Sequence, residues 1–315
     1  EVTLDGKSHN WQFIFTGDLN NGTSAGRSGS INNLVNPGGG SLITLRATLN
    51  NQDAPNTSTI FTSEPTPFFC INLAQEYNLG AIDQNNDSLD FSLVSALEAS
   101  LFNSTYMPGY TPANPISTPP GGFNFNTVNG QLSFTPDLVM NGVVVNQVNE
   151  YRNGVLVGTS MREMTFVIMP NCLNSPPDPG FITNLSGGYN SALNEVSTCQ
   201  GQNEVLSFNF NCSDVNGDTI KITYTGVPAG AIINIVDNNT PNPSFFFEWD
   251  VSNVTAGTYN FFVTLTDNGC PISSNQTIAY TILVAPLMNS FDTGTITGCT
   301  YDSTSMAWVT VKNPN

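Results

Sequence analysis

Three oxygen-bearing side chains, Asp214, Asn216 and Asp218, alternate along "NCSDVNGDTIKITY" (211–224), with Gly217 among them and apolar alternation on either side. Carboxylate and amide oxygens at this spacing are the ligands a hard cation such as Ca²⁺ takes. An EF-hand loop would also need a bidentate acid at its twelfth position, and Thr225 stands there. The alternative is a β-turn in which Asp and Asn bond back to the main chain and Gly217 takes positive φ. A calcium site needs further oxygens. In a Greek-key sandwich the second and sixth strands run the same way, which carries Asp267 and Asn268 of "LTDNGC" toward Asp214 and Asp218. The corresponding earlier cluster is Asp83, Asp87 and Glu150. Calcium is the only cofactor the sequence puts forward, beside the plain turn.

Six cysteines are widely spaced with no CxxC pair, and His9 is the single histidine, so a structural zinc site has too few neighbouring ligands. Scattered cysteines in an Asn- and Ser-rich chain point to disulfides and an oxidising compartment. Strand order pairs them by pole. Cys212 ends a second strand and Cys270 follows a sixth; Cys70 begins a strand of the earlier module and Cys172 ends its last one. Cys199 is the counterpart of Cys70, with Cys299 beyond the end of its module. The expected bridges are 70–172, 212–270 and 199–299, each contributing roughly 2–4 kcal/mol. N-x-S/T triplets, as at Asn21, Asn103 and Asn253, are no more frequent than this composition supplies.

Catalytic constellations are not legible. His9 cannot complete a Ser–His–Asp triad, and nearly all acids fall in turns rather than facing a cleft. "NPGGGS" (36–41) joins strands and opens no helix, so it is no phosphate loop. An intramolecular isopeptide bond would have only Lys7, Lys221 and Lys312 to draw on. The chain is expected not to be an enzyme.

The elements that would position these residues are strands. In "EVLSFNFNC" Leu206, Phe208, Phe210 and Cys212 share one face; in "IAYTILV" Ile278, Tyr280, Ile282 and Val284 do. Helical periodicity is confined to "LVSALEASLF" (93–102), enough for two turns. The plan repeats: "FCINLAQEYNLGAIDQNNDSLDFSL" (69–93) lies over "TCQGQNEVLSFNFNCSDVNGDTIKITY" (198–224). The fold class is therefore all-β, with tandem Ig-like or cadherin-like antiparallel sandwiches. The expected divisions are 1–65, a partial β module; 66–172, a sandwich with a long Pro-rich loop; 173–286, a second sandwich; and 287–315, the opening of another. The loop "FNSTYMPGYTPANPISTPPGG" (102–122) carries Tyr106, Met107 and Tyr110, anchors suited to an interface, or else folds flat over its own sheet.

Seven basic residues against 24 acidic ones leave a net charge of −17, which repels phosphate backbones and argues against nucleic acid. No run of apolar residues is long enough to span a membrane. The chain begins in mid-strand at "EVTLDG" and reads as a slice of something longer.

The stretches "LVNPGGGSLITLRATLNN", "NDSLDFSL", "MPGYTPANP", "GQLSFTPD", "EYRNGVLVGT" with "MREMTFVIMPNC", and "LTDNGCPISSNQTIAYTILV" resemble modules of very large Bacteroidota cell-surface proteins. Those are exported by the type IX secretion system and associated with gliding motility. The likeness covers nearly the whole chain. It departs from the pattern at Asn85-Asn86-Asp87, where relatives carry Asp-Gly-Asp, and at Arg162-Glu163, where they carry Arg-Asp. It also lacks the cysteine pair that some relatives place at Ser207 and Glu248. The resemblance implies an extracellular, cell-surface structural segment: part of a stalk, filament or appendage used in adhesion, motility or attachment to prey. Its expected partners are neighbouring modules and other copies of the same protein. The alternative is an adhesin module that binds surface glycans or proteins.

Overall fold

The computed structural model describes residues 3–17, 26–35, 42–65, 68–170, 172–201, 205–286, 297–302 and 307–312. The chain divides into two compact units, Glu1–Leu173 and Asn174–Asn315.

The strands of the first unit are β1 (Trp11–Thr16), β2 (Thr44–Leu49), β3 (Ile60–Phe61), β4 (Phe68–Cys70), β5 (Gln75–Tyr77) and β6 (Ala81–Ile82). They continue as β7 (Ser88–Leu93), β8 (Phe123–Phe125), β9 (Leu132–Phe134), β10 (Asn141–Arg152) and β11 (Val155–Met169). One sheet runs β1-β2-β11-β10-β7, with β4 added in parallel to β11; a smaller sheet runs β5-β9-β8, and β3 pairs β6. The long β10–β11 hairpin closes on Asn153-Gly154, both at positive φ, the geometry of a two-residue turn that matches strand twist. Alternating apolar residues put Phe69, Tyr77, Phe134 and Phe166 into one buried aromatic cluster, Phe69 and Phe166 having ring centroids 4.7 Å apart.

Two sequence expectations change here. Residues 1–65 are no module apart, because β2 pairs with β11 (Thr48 against Thr159) and so extends the first unit's main sheet. The stretch 93–102 forms only a 3₁₀ turn, Ala99–Leu101. Leu97 instead bridges Thr44 and Asn103, so pairing at the sheet edge outweighs the local helical pattern.

The second unit contains β12 (Thr183–Ser186), β13 (Tyr189–Ala192), β14 (Glu195–Cys199), β15 (Leu206–Asn211), β16 (Ile220–Thr225) and β17 (Ile232–Val236). After them come β18 (Ser244–Trp249), β19 (Gly257–Asp267), β20 (Asn275–Ala285) and the hairpin β21 (Thr297–Asp302) with β22 (Ala307–Lys312). Two facing sheets, β12-β15-β18-β17 and β13-β14-β20-β19-β16, make an Ig-like sandwich in which β14 runs parallel to β20. Its core is a stack of rings: Phe210 lies 4.8 Å from Phe245 and 4.9 Å from Tyr280, and Phe247 lies 5.2 Å from Phe261. Each fully buried ring contributes about 2–3 kcal/mol of apolar burial. The fold of the chain is all-β, built from tandem Ig-like sandwich modules.

Cys70 and Cys172 are bonded, with Cα atoms 5.8 Å apart, and the bridge ties β4 to the chain just past β11. The 212–270 bridge does not form: both thiols are free. Cys212 points into the sandwich core, 1% exposed, whereas Cys270 lies exposed in the turn after β19, so their side chains point to different sides of the pole. Cys199 is disulfide-bonded; the side chain of Cys299 lies outside the described residues.

Candidate functional site

The acidic turns found in the sequence occupy equivalent places in the two units. After the first turn, Leu89 on β7 pairs with Glu150 on β10; after the second, Ile220 on β16 pairs with Asp267 on β19. In both turns the leading Asp is a main-chain acceptor. Asp83 Oδ1 accepts from the N–H groups of Asn85 and Asp87 at 2.9 and 2.8 Å. Asp214 Oδ1 accepts from Asn216 and Asp218 at 2.8 and 3.1 Å. Asn86 and Gly217 supply the positive φ each turn needs. The turn chemistry foreseen from the sequence is therefore present in both units.

The central Asn of each turn then captures the segment that leads into its module. Asn85 Oδ1 accepts from Thr57 N–H and Asn216 Oδ1 accepts from Ser175 N–H, both at 2.8 Å. The preceding residue is also Asn in each case. Asn174 donates through Nδ2 to both oxygens of Asp267, at 3.0 and 2.9 Å, and to Ile272 O at 3.1 Å. Asn56 Nδ2 reaches Glu150 Oε2 at a long 3.5 Å and Val157 O at 3.2 Å. Asn268 Oδ1 accepts from Thr219 N–H at 2.8 Å, which fixes the two turns of the second pole to one another.

Where the poles differ is in their cation. Arg152 forms a two-pronged pair with Asp87 (Nε to Oδ1 2.8 Å, Nη2 to Oδ2 2.7 Å) and donates to Asn56 Oδ1 at 2.8 Å and Pro55 O at 3.0 Å. Hydrogen bonding to Asp87 raises the guanidinium pKa further. Glu150 is fully buried, and its Oε1 accepts from both the N–H and the hydroxyl of Thr59. Gly158 faces it across the hairpin, and a Cβ there would stand 2.3 Å from Glu150 Oε2. Burial raises the Glu150 pKa, the Thr59 bonds oppose the rise, and the Asp83 charge adds to it. Asp267 shifts the same way, from burial first and, against its hydrogen bonds, from the charge of Asp214.

Among the described residues no three His, Cys, Asp or Glu side chains gather to hold a metal. The three-carboxylate calcium clusters expected at Asp214, Asp218 and Asp267 and at Asp83, Asp87 and Glu150 are thus not assembled as such. In the first, an amide intervenes, Asn174 lying on Asp267; in the second, the Arg152 guanidinium takes Asp87. Of the two readings of the 102–122 loop, contact surface or cover over its own sheet, the packing matches the second. Tyr106 bridges Leu34, Tyr110 packs on the core with its hydroxyl 3.8 Å from Met140 Sδ, and Ile116 is fully buried. Of the three named anchors only Met107, 41% exposed, faces outward, so the loop covers its own module.

Sequence reading missed Arg152, Asn56 and Asn174, and the buried pair in which Arg27 meets Glu163 with both contacts at 2.7 Å. The dipeptides Asn56-Thr57 and Asn174-Ser175 were a usable signal, hidden because they precede their turns by different intervals.

The chain matches no protein-family model and no curated protein. Among solved structures it is similar to the I-band fragment I67–I69 of titin, at 9% identity over 78% of this chain and 75% of that one, TM-score 0.22. A protein of unknown function from Porphyromonas gingivalis W83 matches at 11% identity over 73% and 97%, TM-score 0.24. An endo-fucoidan hydrolase of glycoside hydrolase family 107 matches at 14% identity over 78% of this chain, TM-score 0.25; the chain spans only 34% of that enzyme. All three likenesses are low in identity and TM-score, and the fold assignment rests on the strand order and register above.

Proposed function

We propose that the chain is a non-enzymatic structural segment of a large secreted surface protein, contributing modules to an extracellular stalk, filament or appendage used in attachment or motility. The observation that carries this reading is the repeated pole, in which the turn Asn of each successive module accepts a backbone N–H from that module's own leading segment. A device reused from one module to the next suits an array better than a site built once for a substrate. The Cys70–Cys172 bridge is compatible with an extracellular setting, and among the described residues no helix is long and apolar enough to cross a membrane. An adhesin that binds sugars through aromatic platforms fits less well, since Trp249 and the phenylalanines of β15, β18 and β19, Phe246 apart, are buried. Antibody labelling of intact cells, with negative-stain imaging of shed material, tests the proposal. Surface label on an extended multi-module structure is expected. Label seen only after lysis would overturn it.

A further inference from the structure

Register makes the two poles directly comparable. With Glu150 equivalent to Asp267, Arg152 lies two residues beyond the first and Gly269 two beyond the second. In the first unit the guanidinium satisfies the carboxylate of Asp87, the amide oxygen of Asn56 and the carbonyl of Pro55. In the second unit the equivalent amide oxygen, Asn174 Oδ1, is buried and has no hydrogen-bond partner, although Asn174 is only 4% exposed. The orphaned acceptor is therefore the one that Arg152 occupies in the other pole. Leaving such a group unmet is costly, and since its counterpart is met by a cation, this one calls for a donor or a cation too. Asp214 Oδ2 is a second buried oxygen without a partner. Its counterpart Asp83 Oδ2 also lacks one; burial and the Asp87 charge weigh against the Asp83 carboxylate, and the Arg152 charge offsets part of that.

The second module cannot supply the cation itself. Between residues 174 and 286 there are nine acidic residues (Asp178, Glu195, Glu204, Asp214, Asp218, Asp237, Glu248, Asp250 and Asp267) and one basic residue, Lys221. Lys221 points outward from β16 and is exposed. Nor could an arginine be placed where Arg152 stands. A Cβ on Gly269 would come within 2.2 Å of the Asn174 amide, which lies directly against that glycine.

We propose that this pole of the second module is a calcium site, in which Ca²⁺ meets the amide oxygen whose counterpart Arg152 meets in the first module. The donors are the Asp214 and Asp267 carboxylates and the Asn174 amide oxygen, two carboxylates and an amide rather than three carboxylates. All are hard oxygens. Ca²⁺ accepts such mixed, irregular sets and completes its shell with water, whereas Mg²⁺ demands near-ideal octahedral geometry. The ion neutralises the carboxylate pair and anchors Asn174, and with it the entry of the chain into the module.

Calorimetric titration of the whole chain tests this with Ca²⁺ alone as the probe. One ion per chain is expected, with Kd of about 10⁻⁴–10⁻³ M, the range of extracellular modules. Asp214→Asn keeps the oxygen that accepts both turn N–H groups, and should weaken binding about tenfold or more. Asp83→Asn, in the pole served by Arg152, should leave it unchanged. Hydrogen exchange on the unmodified protein gives a second readout that needs no variant. Calcium should slow exchange at Ser175, Gly269 and Ser274 and leave Thr57 and Thr59 as they were. No calcium heat up to about 10 mM, two ions per chain, or protection at Thr57 and Thr59 instead would overturn the assignment.

Discussion

Cys212 and Cys270 carry the same thiol in opposed surroundings. Burial pushes the Cys212 pKa up to about 12, and the charge of Asp178 adds to the rise. Iodoacetamide at pH 8 should therefore label Cys270 alone in the folded protein and both thiols after unfolding. Equal labelling of the two in the folded state, or of neither, would contradict the free-thiol arrangement. Glu150 gives a second residue-level prediction. Its folded pKa is raised above the ordinary 4.5, so between those two values the folded state holds more protons than the unfolded one. Stability from this group is full below the unfolded value and declines as pH rises through the folded value. Asp83 and Glu76, also raised chiefly by burial, act in the same sense. The urea midpoint of the first unit should be higher at pH 5 than at pH 7, and Glu150→Gln should flatten part of that slope. A midpoint that climbs with pH over this interval would show that other groups dominate.

At the scale of elements, the 102–122 loop is held by a residue far from it in sequence. Asn33, fully buried, donates to Pro115 O at 3.0 Å and Val143 O at 2.9 Å, and accepts from Val143 N–H at 2.9 Å. Asn33→Ala would strand three buried backbone groups and should cost about 2–4 kcal/mol. Met107→Ser, at the exposed tip, should change stability by less than about 0.5 kcal/mol. Deleting 104–120 removes fully buried Ile116 and should unfold the first unit. Urea denaturation of the three variants checks the order. What the sequence disclosed follows the reach of its signals. Leu206, Phe208, Phe210 and Cys212 were readable as one inward face because a strand writes its burial with period two, and all four are buried. The Asx turns at Asp83 and Asp214 were readable because their hydrogen bonds span four residues or fewer. Asn33 and Arg152 were not, since each meets its partners between 65 and 110 positions away and no local pattern records that. The pairing 212–270 failed for a related reason: strand order brings the cysteines to one pole, but pleat phase decides which way each points.

For the whole molecule, the surplus of acid over base is nearly even, −8 before residue 174 and −9 from there on, but the basic residues are not. All but two of its seven basic residues, Lys221 and Lys312, precede residue 174. The first unit can therefore neutralise its buried carboxylates from within, as Arg27 and Arg152 do, while the second has no such internal reserve. Ionic conditions outside the protein should thus bear mainly on the second unit, in line with the calcium titration proposed above.

The Cys70–Cys172 bridge also fixes how the first unit can carry mechanical load. A pull transmitted along the chain enters the covalent loop at one sulfur and leaves at the other, so the chain between them, a sequence separation of 102, bears no tension. At about 3.5 Å per residue, some 350 Å of contour is withheld from extension. In single-molecule pulling, oxidised protein should release only the length outside the loop when this unit opens. Prior reduction should lengthen that step by about 350 Å, less the small span of the bridge. Equal steps before and after reduction would mean that the bridge is not formed in the pulled protein. With the bridge intact, the sandwich between the two cysteines can unfold only thermally, and a tether built of such units stays short under strain.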